Sequence, residues 1–383
     1  LNAALQEIVL ALSDPLAVET GGSHNQKGIE FQKNWAIVKM FALKDSDAVD
    51  FLFLFEAIQD VAVLDSSTSP ASIEVFQVKK KDRNEWTWAS LTHLHVPYEP
   101  SKNATRKKKT KPLDSISDSP IGKLFGSLAG LKTLSASGRF ISNAGCDLKL
   151  GSGGNAATSL PVAISALPPH FTDLLQSALD SVQKPGHPRS DLSKVLLERV
   201  DIPVDDAQTY TIGIVHKFLD KTSPKHAGQA RSFVESLLAK LGPLGTNTVK
   251  ATTIEEMKSR HGFSFYELNH ALGDLQQTTD VDFHLNEWLV ELRDSLTFWE
   301  KTQIRTAFSG IYTRKLIGSP LPMDIEISES CDTWLAANPM GPSLVSMFDM
   351  ALAHLRAEHS GVKLHELQAH FLLKAIEKCV DPS

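Results

Sequence analysis

Asp60 is followed seventeen residues later by Gln77-Val78-Lys79, and both positions fall on short strand-like runs. Side chains alternate along a strand, so Gln77 and Lys79 project to one face. Asp60, opening the neighbouring run 61–64, can reach that face. Carboxylate and amide oxygens are hard ligands that suit Mg²⁺ or Mn²⁺. Such a cation polarises a scissile phosphate and lowers the pKa of the attacking water, while a lysine offsets charge growing on the phosphorus centre. The chemistry these residue types can do is metal-assisted phosphodiester hydrolysis. A Gln-x-Lys alone is common on solvated strands. Glu56 and Asp60, with a helix over 28–32 in the right order, make the pattern more specific.

A sheet must hold these side chains. The run 49–55 is nearly all apolar, as a central strand would be. The run 61–64 is short and ends at the Ser-Ser-Thr-Ser-Pro turn of 66–70, and 72–79 reads as a third strand. Phe31, Trp35, Val38 and Phe41 recur at three- or four-residue spacing and predict a helix over 28–41. A shorter helix over 2–13 is closed by Asp14-Pro15. Helix followed by closely spaced strands indicates an α/β or α+β unit. Further strands are expected at 139–142 and 147–150, helices at 170–182 and 189–198, and a strand running into a helix at 210–218. The Pro-, Ser- and Lys-rich stretch 97–123 reads as an exposed loop or insertion. Gly151-Ser152-Gly153-Gly154 lacks the Gly-Lys-Ser/Thr ending of a phosphate loop. From 224 onward the pattern is nearly all helix, with segments at 227–241, 264–275, 285–315, 341–358 and 363–380. In the last, Leu364, Leu367, Phe371, Leu372, Ala375 and Cys379 form an apolar stripe.

The segments Gly28-Ile29-Glu30-Phe31-Gln32, Glu56-Ala57-Ile58-Gln59-Asp60-Val61 and Phe76-Gln77-Val78-Lys79-Lys80 carry a resemblance. They resemble the PD-(D/E)xK restriction-endonuclease-like superfamily, in its subgroup where Gln replaces the second acid. More narrowly, they are similar to a family of bacterial anti-phage endonucleases. That family supplies the double-stranded DNA nuclease of SAVED-domain effectors in cyclic-oligonucleotide defence (CBASS). It also supplies the nuclease subunit of Lamassu systems, beside an SMC-like ATPase. The motifs span about residues 21–81, with a looser likeness to about 220.

The resemblance implies roles. Asp60 is the principal metal ligand, Gln77 a second ligand and Lys79 the catalytic lysine, with Glu56 and Glu30 as supporting carboxylates. Glu56 also counts among the metal ligands in this resemblance. A neutral Gln removes one negative charge, so Mg²⁺ binding weakens unless Glu56 or Glu30 makes up the deficit, and the number of metals stays open. The implied fold is an α/β restriction-endonuclease-like domain, a mixed sheet flanked by helices, followed by a mostly α-helical domain. The boundaries expected are 1–222 for the nuclease, with a basic insertion near 97–123, and 223–383 for a helical assembly or partner-binding domain.

Composition sets limits on this reading. At ~150 residues per domain, 383 residues suggest two or three domains. The net charge is -6, yet residues 79–111 carry ten Lys or Arg against Asp82, Glu85 and Glu99, a local +7. Lys80, Lys81 and the run Arg106, Lys107, Lys108 and Lys109 are candidate DNA-binding cations, or an ordinary exposed tether. Trp86 and Trp88 read as core or hinge anchors rather than base stackers. Residues 251–383 hold 19 acidic against 11 basic side chains, net -8, which suits protein partners better than phosphate. Three scattered cysteines exclude a disulfide framework and a zinc ribbon and fit a reducing cytoplasm. No apolar run approaches the ~18 residues of a membrane span, and 1–12 lacks the basic region of a signal peptide.

Few strand signals after 224 favour the Lamassu-like subunit over a cyclic-nucleotide receptor. The expected function is a Mg²⁺-dependent endonuclease effector, kept silent by an SMC-like ATPase and a small accessory subunit and active as a homo-oligomer. The alternative is a catalytically inactive assembly or DNA-binding subunit that retains the nuclease fold.

Overall fold

The apolar runs ahead of and behind Asp60 become the centre of a sheet. In the computed structural model β1 (Leu52–Phe55) and β2 (Val61–Leu64) bury every side chain. β3 (Ser72–Lys79), β4 (Trp86–Thr87), β5 (Ser135–Ser142), β6 (Cys146–Asp147), β7 (Val162–Ala163), β8 (Val195–Arg199) and β9 (Gly262–Ser264) follow. Seven strands form one mixed sheet in the order β7-β8-β5-β3-β2-β1-β9, while β4 and β6 pair separately. β1 runs antiparallel to β2 and β9, β2 antiparallel to β3, and β7 antiparallel to β8. β3, β5 and β8 are mutually parallel. The structure describes residues 3–12, 26–97, 112–159, 161–184, 186–247, 249, 251–277, 281–292, 295–316, 320–338 and 343–380.

Two compact units are present: Leu1–Ile214 with Lys240–Asn269, and Val215–Ala239 with His270–Ser383. In the first, α1 (Ala3–Leu12) precedes α2 (Gln26–Asp45), which lies on one face of the sheet with Phe31, Trp35, Ile37, Met40 and Phe41 buried. Trp35 packs on Phe76 of β3 at 4.7 Å between ring centroids. Burying each such ring is worth about 1.5–3 kcal/mol relative to leaving it in water. The other face carries Leu54, Ala62, Leu64, Ile73 and Val75. They share a core with Trp88 of α3 (Trp88–Thr92) and Leu124 and Phe125 of α4 (Pro120–Ala129). Trp88 thus anchors the core, and half-buried Trp86 packs edge-on against Phe140.

Several local expectations change. Residues 189–198 are not a helix. Asp191 caps a short turn, and β8 follows with Val195 and Leu197 buried at period two. The segment 210–218 lies within the helix Ala207–Thr222, where Val215 and Leu219 are buried at helical spacing. Part of the presumed loop 97–123 is ordered core: Leu113–Asp118 is a 3₁₀ helix with Ile116 buried, and α4 starts at Pro120. Residues 98–111 lie outside the described residues. β9 adds a strand in a stretch whose pattern reads as helical.

Gly122 is a position where only glycine fits. A Cβ there would lie 1.8 Å from the Ile116 carbonyl oxygen, which is backbone and cannot rotate away. Gly122→Ala is expected to cost about 1–3 kcal/mol through overpacking. Thermal melting of the full chain checks this, and an unchanged midpoint contradicts it.

In the second unit the helices Val281–Glu291, Phe298–Leu316, Pro322–Ala337, Leu344–Glu358 and Leu364–Val380 enclose a core that includes Leu289, Phe308, Ile327, Phe348 and Phe371. The expected single helix 285–315 is interrupted. Thr297 and Glu300 exchange hydrogen bonds as a capping box that starts a new helix. The last helix packs against four others, so burial extends beyond one stripe to Gln368, Ala369, His370 and Leu373. It is the interior of the unit rather than a free docking face. Arg314 donates to Asp324 at 2.7 and 2.8 Å, with buried His370 3.3 Å from the same carboxylate. Burial, reinforced by the Arg314 charge, pushes His370 down to about 4 in spite of Asp324. Among the described residues no helix is long and apolar enough to cross a membrane.

Candidate active site

β2 and β3 pair as far as Val61 opposite Phe76, and one step further the antiparallel register sets Asp60 across from Gln77. Beyond that point the main-chain ladder is replaced by the Asp60 side chain. Its Oδ2 accepts the Val78 N–H at 2.6 Å, and its Oδ1 lies 3.1 Å from Lys79 Nζ. The Asp60 carboxylate is 1% exposed and the Lys79 side chain 22%. This is a buried charge pair with one partner reaching water. Gln77 is 1% exposed, and its side-chain carbonyl oxygen has no hydrogen-bond partner. An acceptor left unsatisfied in a protein interior costs about 1–3 kcal/mol.

The turn that delivers Asp60 is tight. Glu56 adopts a left-handed conformation (φ 49°), and its N–H donates to the Asp60 carbonyl at 3.1 Å. A non-glycine residue there is strained, a feature that gathers at functional sites. Ala57, Ile58 and Gln59 of the turn are buried. Gln59 Nε2 donates to Ser127 Oγ of α4 at 2.9 Å. On the α2 side, Gln32 Nε2 donates to the Val78 carbonyl at 3.4 Å.

The structure therefore brings together Asp60, Gln77 and Lys79, with half-buried Glu56 joined to Asp60 through the main chain. Glu30 is exposed on α2, and its carboxylate accepts from Gln26. Lys80 pairs with Asp82 at 2.9 Å. Lys81 donates to the Glu85 carbonyl at 2.6 Å and lies 4.4 Å above the Trp86 ring. Both cations are thus engaged within the chain. Arg106, Lys107, Lys108 and Lys109 lie outside the described residues. Gln59 and Ser127 have no place in the sequence reading. Gln59 stands inside the quoted motif without a role, and nothing local marks Ser127.

The Asp60 carboxylate and the orphaned Gln77 oxygen are hard donors on facing residues, a set that fits a divalent cation such as Mg²⁺. Among the described residues no group of three or more His, Cys, Asp or Glu gathers at one point. A cation here would lean on one acid and a neutral amide. Gln77→Leu removes the unsatisfied acceptor at nearly constant volume. It is expected to raise stability, or leave it unchanged, by up to about 1–3 kcal/mol, while DNA cutting falls. Melting and cleavage of the same sample check the opposed signs.

A family model described as Cap4, dsDNA endonuclease domain, matches residues 20–242. The match takes in more than half of the 383 residues and contains Asp60, Gln77 and Lys79. The chain belongs to this family of double-stranded DNA endonucleases of anti-phage defence. Neither the curated proteins nor the solved structures gave a match.

Proposed function

We propose that this chain cuts double-stranded DNA by metal-assisted hydrolysis at a site built on Asp60, Gln77 and Lys79. The observation that carries the reading is the buried Asp60–Lys79 pair beside the unsatisfied oxygen of Gln77. Asp60 and Gln77 would hold Mg²⁺ or Mn²⁺, with Glu56 as the supporting carboxylate. When bound, the cation supplies Lewis-acid activation of the phosphate and a more acidic water. Lys79, tethered to Asp60 and partly open to solvent, would place its ammonium against the charge developing on the phosphate oxygens. Val78 N–H fixes the second Asp60 oxygen, so the carboxylate is oriented before substrate arrives.

A free DNA nuclease endangers its host, so the second unit serves control by assembly in this reading. It is helical, and it presents Phe298 and Trp299 at 79% and 68% exposure. Apolar side chains left open in this way support docking to other subunits. We assign the chain to a Lamassu-like complex with an SMC-like ATPase and a small accessory subunit, and active cutting to pairs of chains. Plasmid incubated with the full chain across a range of concentrations tests the nuclease reading. Mg²⁺ or Mn²⁺ should yield nicked and linear DNA, more steeply as pairs form, and EDTA should stop it. Cutting indifferent to EDTA contradicts the metal role. Silence at every concentration favours the inactive-subunit alternative.

A further inference from the structure

We infer that Gln59 and Ser127 form a positioning clasp that holds the Asp60 main chain in register with β3 and so sets cation affinity; this rests on the metal-dependent reading of the site.

Gln59 immediately precedes Asp60 and is 1% exposed. Its amide crosses to α4, donating to Ser127 Oγ at 2.9 Å and lying 3.4 Å from the Lys123 carbonyl. Ser127, fully buried, passes its own proton to the Lys123 carbonyl at 2.9 Å. The chain Gln59 amide to Ser127 hydroxyl to Lys123 carbonyl is therefore directional, with each donor used. It lies where α4 otherwise presents Ile121, Leu124 and Phe125 to an apolar core. A purely apolar residue at 59 would bury as well and would avoid desolvating an amide. What the amide adds is direction: an apolar contact tolerates sliding, and a hydrogen bond of this geometry does not.

The sliding that matters is that of the turn Glu56–Asp60. It is closed by the Glu56 N–H on the Asp60 carbonyl and is strained at Glu56. A shift of the main chain at residue 59 moves Asp60 directly. It would lengthen the 2.6 Å contact to Val78 N–H and misalign the carboxylate with Gln77. Groups behind a metal ligand typically change affinity or activity by about 10–100-fold when removed. Gln32 holds the Val78 carbonyl from α2, so Gln59 supplies the matching restraint on the Asp60 side.

The test uses the full chain with Ser127→Ala and Gln59→Leu, singly and together. Calorimetric Mn²⁺ titration, amide hydrogen exchange and melting are read on each. Ser127→Ala is expected to weaken Mn²⁺ binding about tenfold or more and to speed exchange at 56–61 and 76–79, with little change elsewhere. The double variant should be no worse than Gln59→Leu, because both remove one interaction. Two results overturn the clasp. One is unchanged Mn²⁺ affinity despite faster exchange in the turn. The other is exchange and melting that shift throughout the unit, which is general destabilisation. Failure of the parent chain to bind Mn²⁺ is a separate outcome, overturning the metal reading and with it the clasp's proposed effect on affinity, while exchange still reports on the turn.

Discussion

Lys79→Ala is expected to slow DNA cleavage by about 10²–10³-fold, the scale of losing one preorganised group that stabilises transition-state charge. The loss should fall on turnover, because Lys79 is held by Asp60 at 3.1 Å rather than displayed as a free DNA contact. Some stability should be lost as well, because the Asp60 carboxylate is 1% exposed and removing Lys79 takes a counter-charge from a buried acid. The Asp60 carboxylate keeps the Val78 N–H as a partner after the change. Rates at saturating plasmid check this, and a variant that cuts as fast as the parent removes Lys79 from the site.

Asp60→Asn carries the larger expected effect. The substitution preserves shape, and an amide oxygen can still accept from Val78 N–H, so the turn and β3 should stay in register. What disappears is the one buried negative charge at the site. With Gln77 neutral, the donor set is then left without an acid beyond Glu56. Cleavage is expected to fall below detection, by more than about 10³-fold, since both cation binding and its activation of water depend on that charge. Gel assays under the parent's conditions measure it. Substantial residual cutting would shift the metal role to Glu56.

How far the sequence carried this picture follows from how local each signal is. β1, β2 and β3 are legible because apolar runs and alternation are properties of neighbouring residues, and Gln77 and Lys79 share a face by that alternation alone. The break before the helix Phe298–Leu316 was missed: Thr297-Phe298-Trp299-Glu300 closes as a capping box, but the apolar pattern runs across it and suggests one continuous helix. β9 was not legible. Gly262, Phe263 and Ser264 become a strand only by pairing with Ser264 opposite Leu52 and Phe263 opposite Phe53. The last helix read as one-faced because a linear pattern cannot show how many neighbours surround it. Gln59 and Ser127, 68 residues apart, meet only once the sheet and α4 pack.

The cation site proposed at Asp60 and Gln77 can be tested by binding alone, without depending on activation by partners. Mn²⁺ titrated calorimetrically into the full chain should give saturable heat at the parent site and none at that site in Asp60→Asn, with both proteins melting alike. Equal Mn²⁺ binding by parent and variant would remove Asp60 from the cation site.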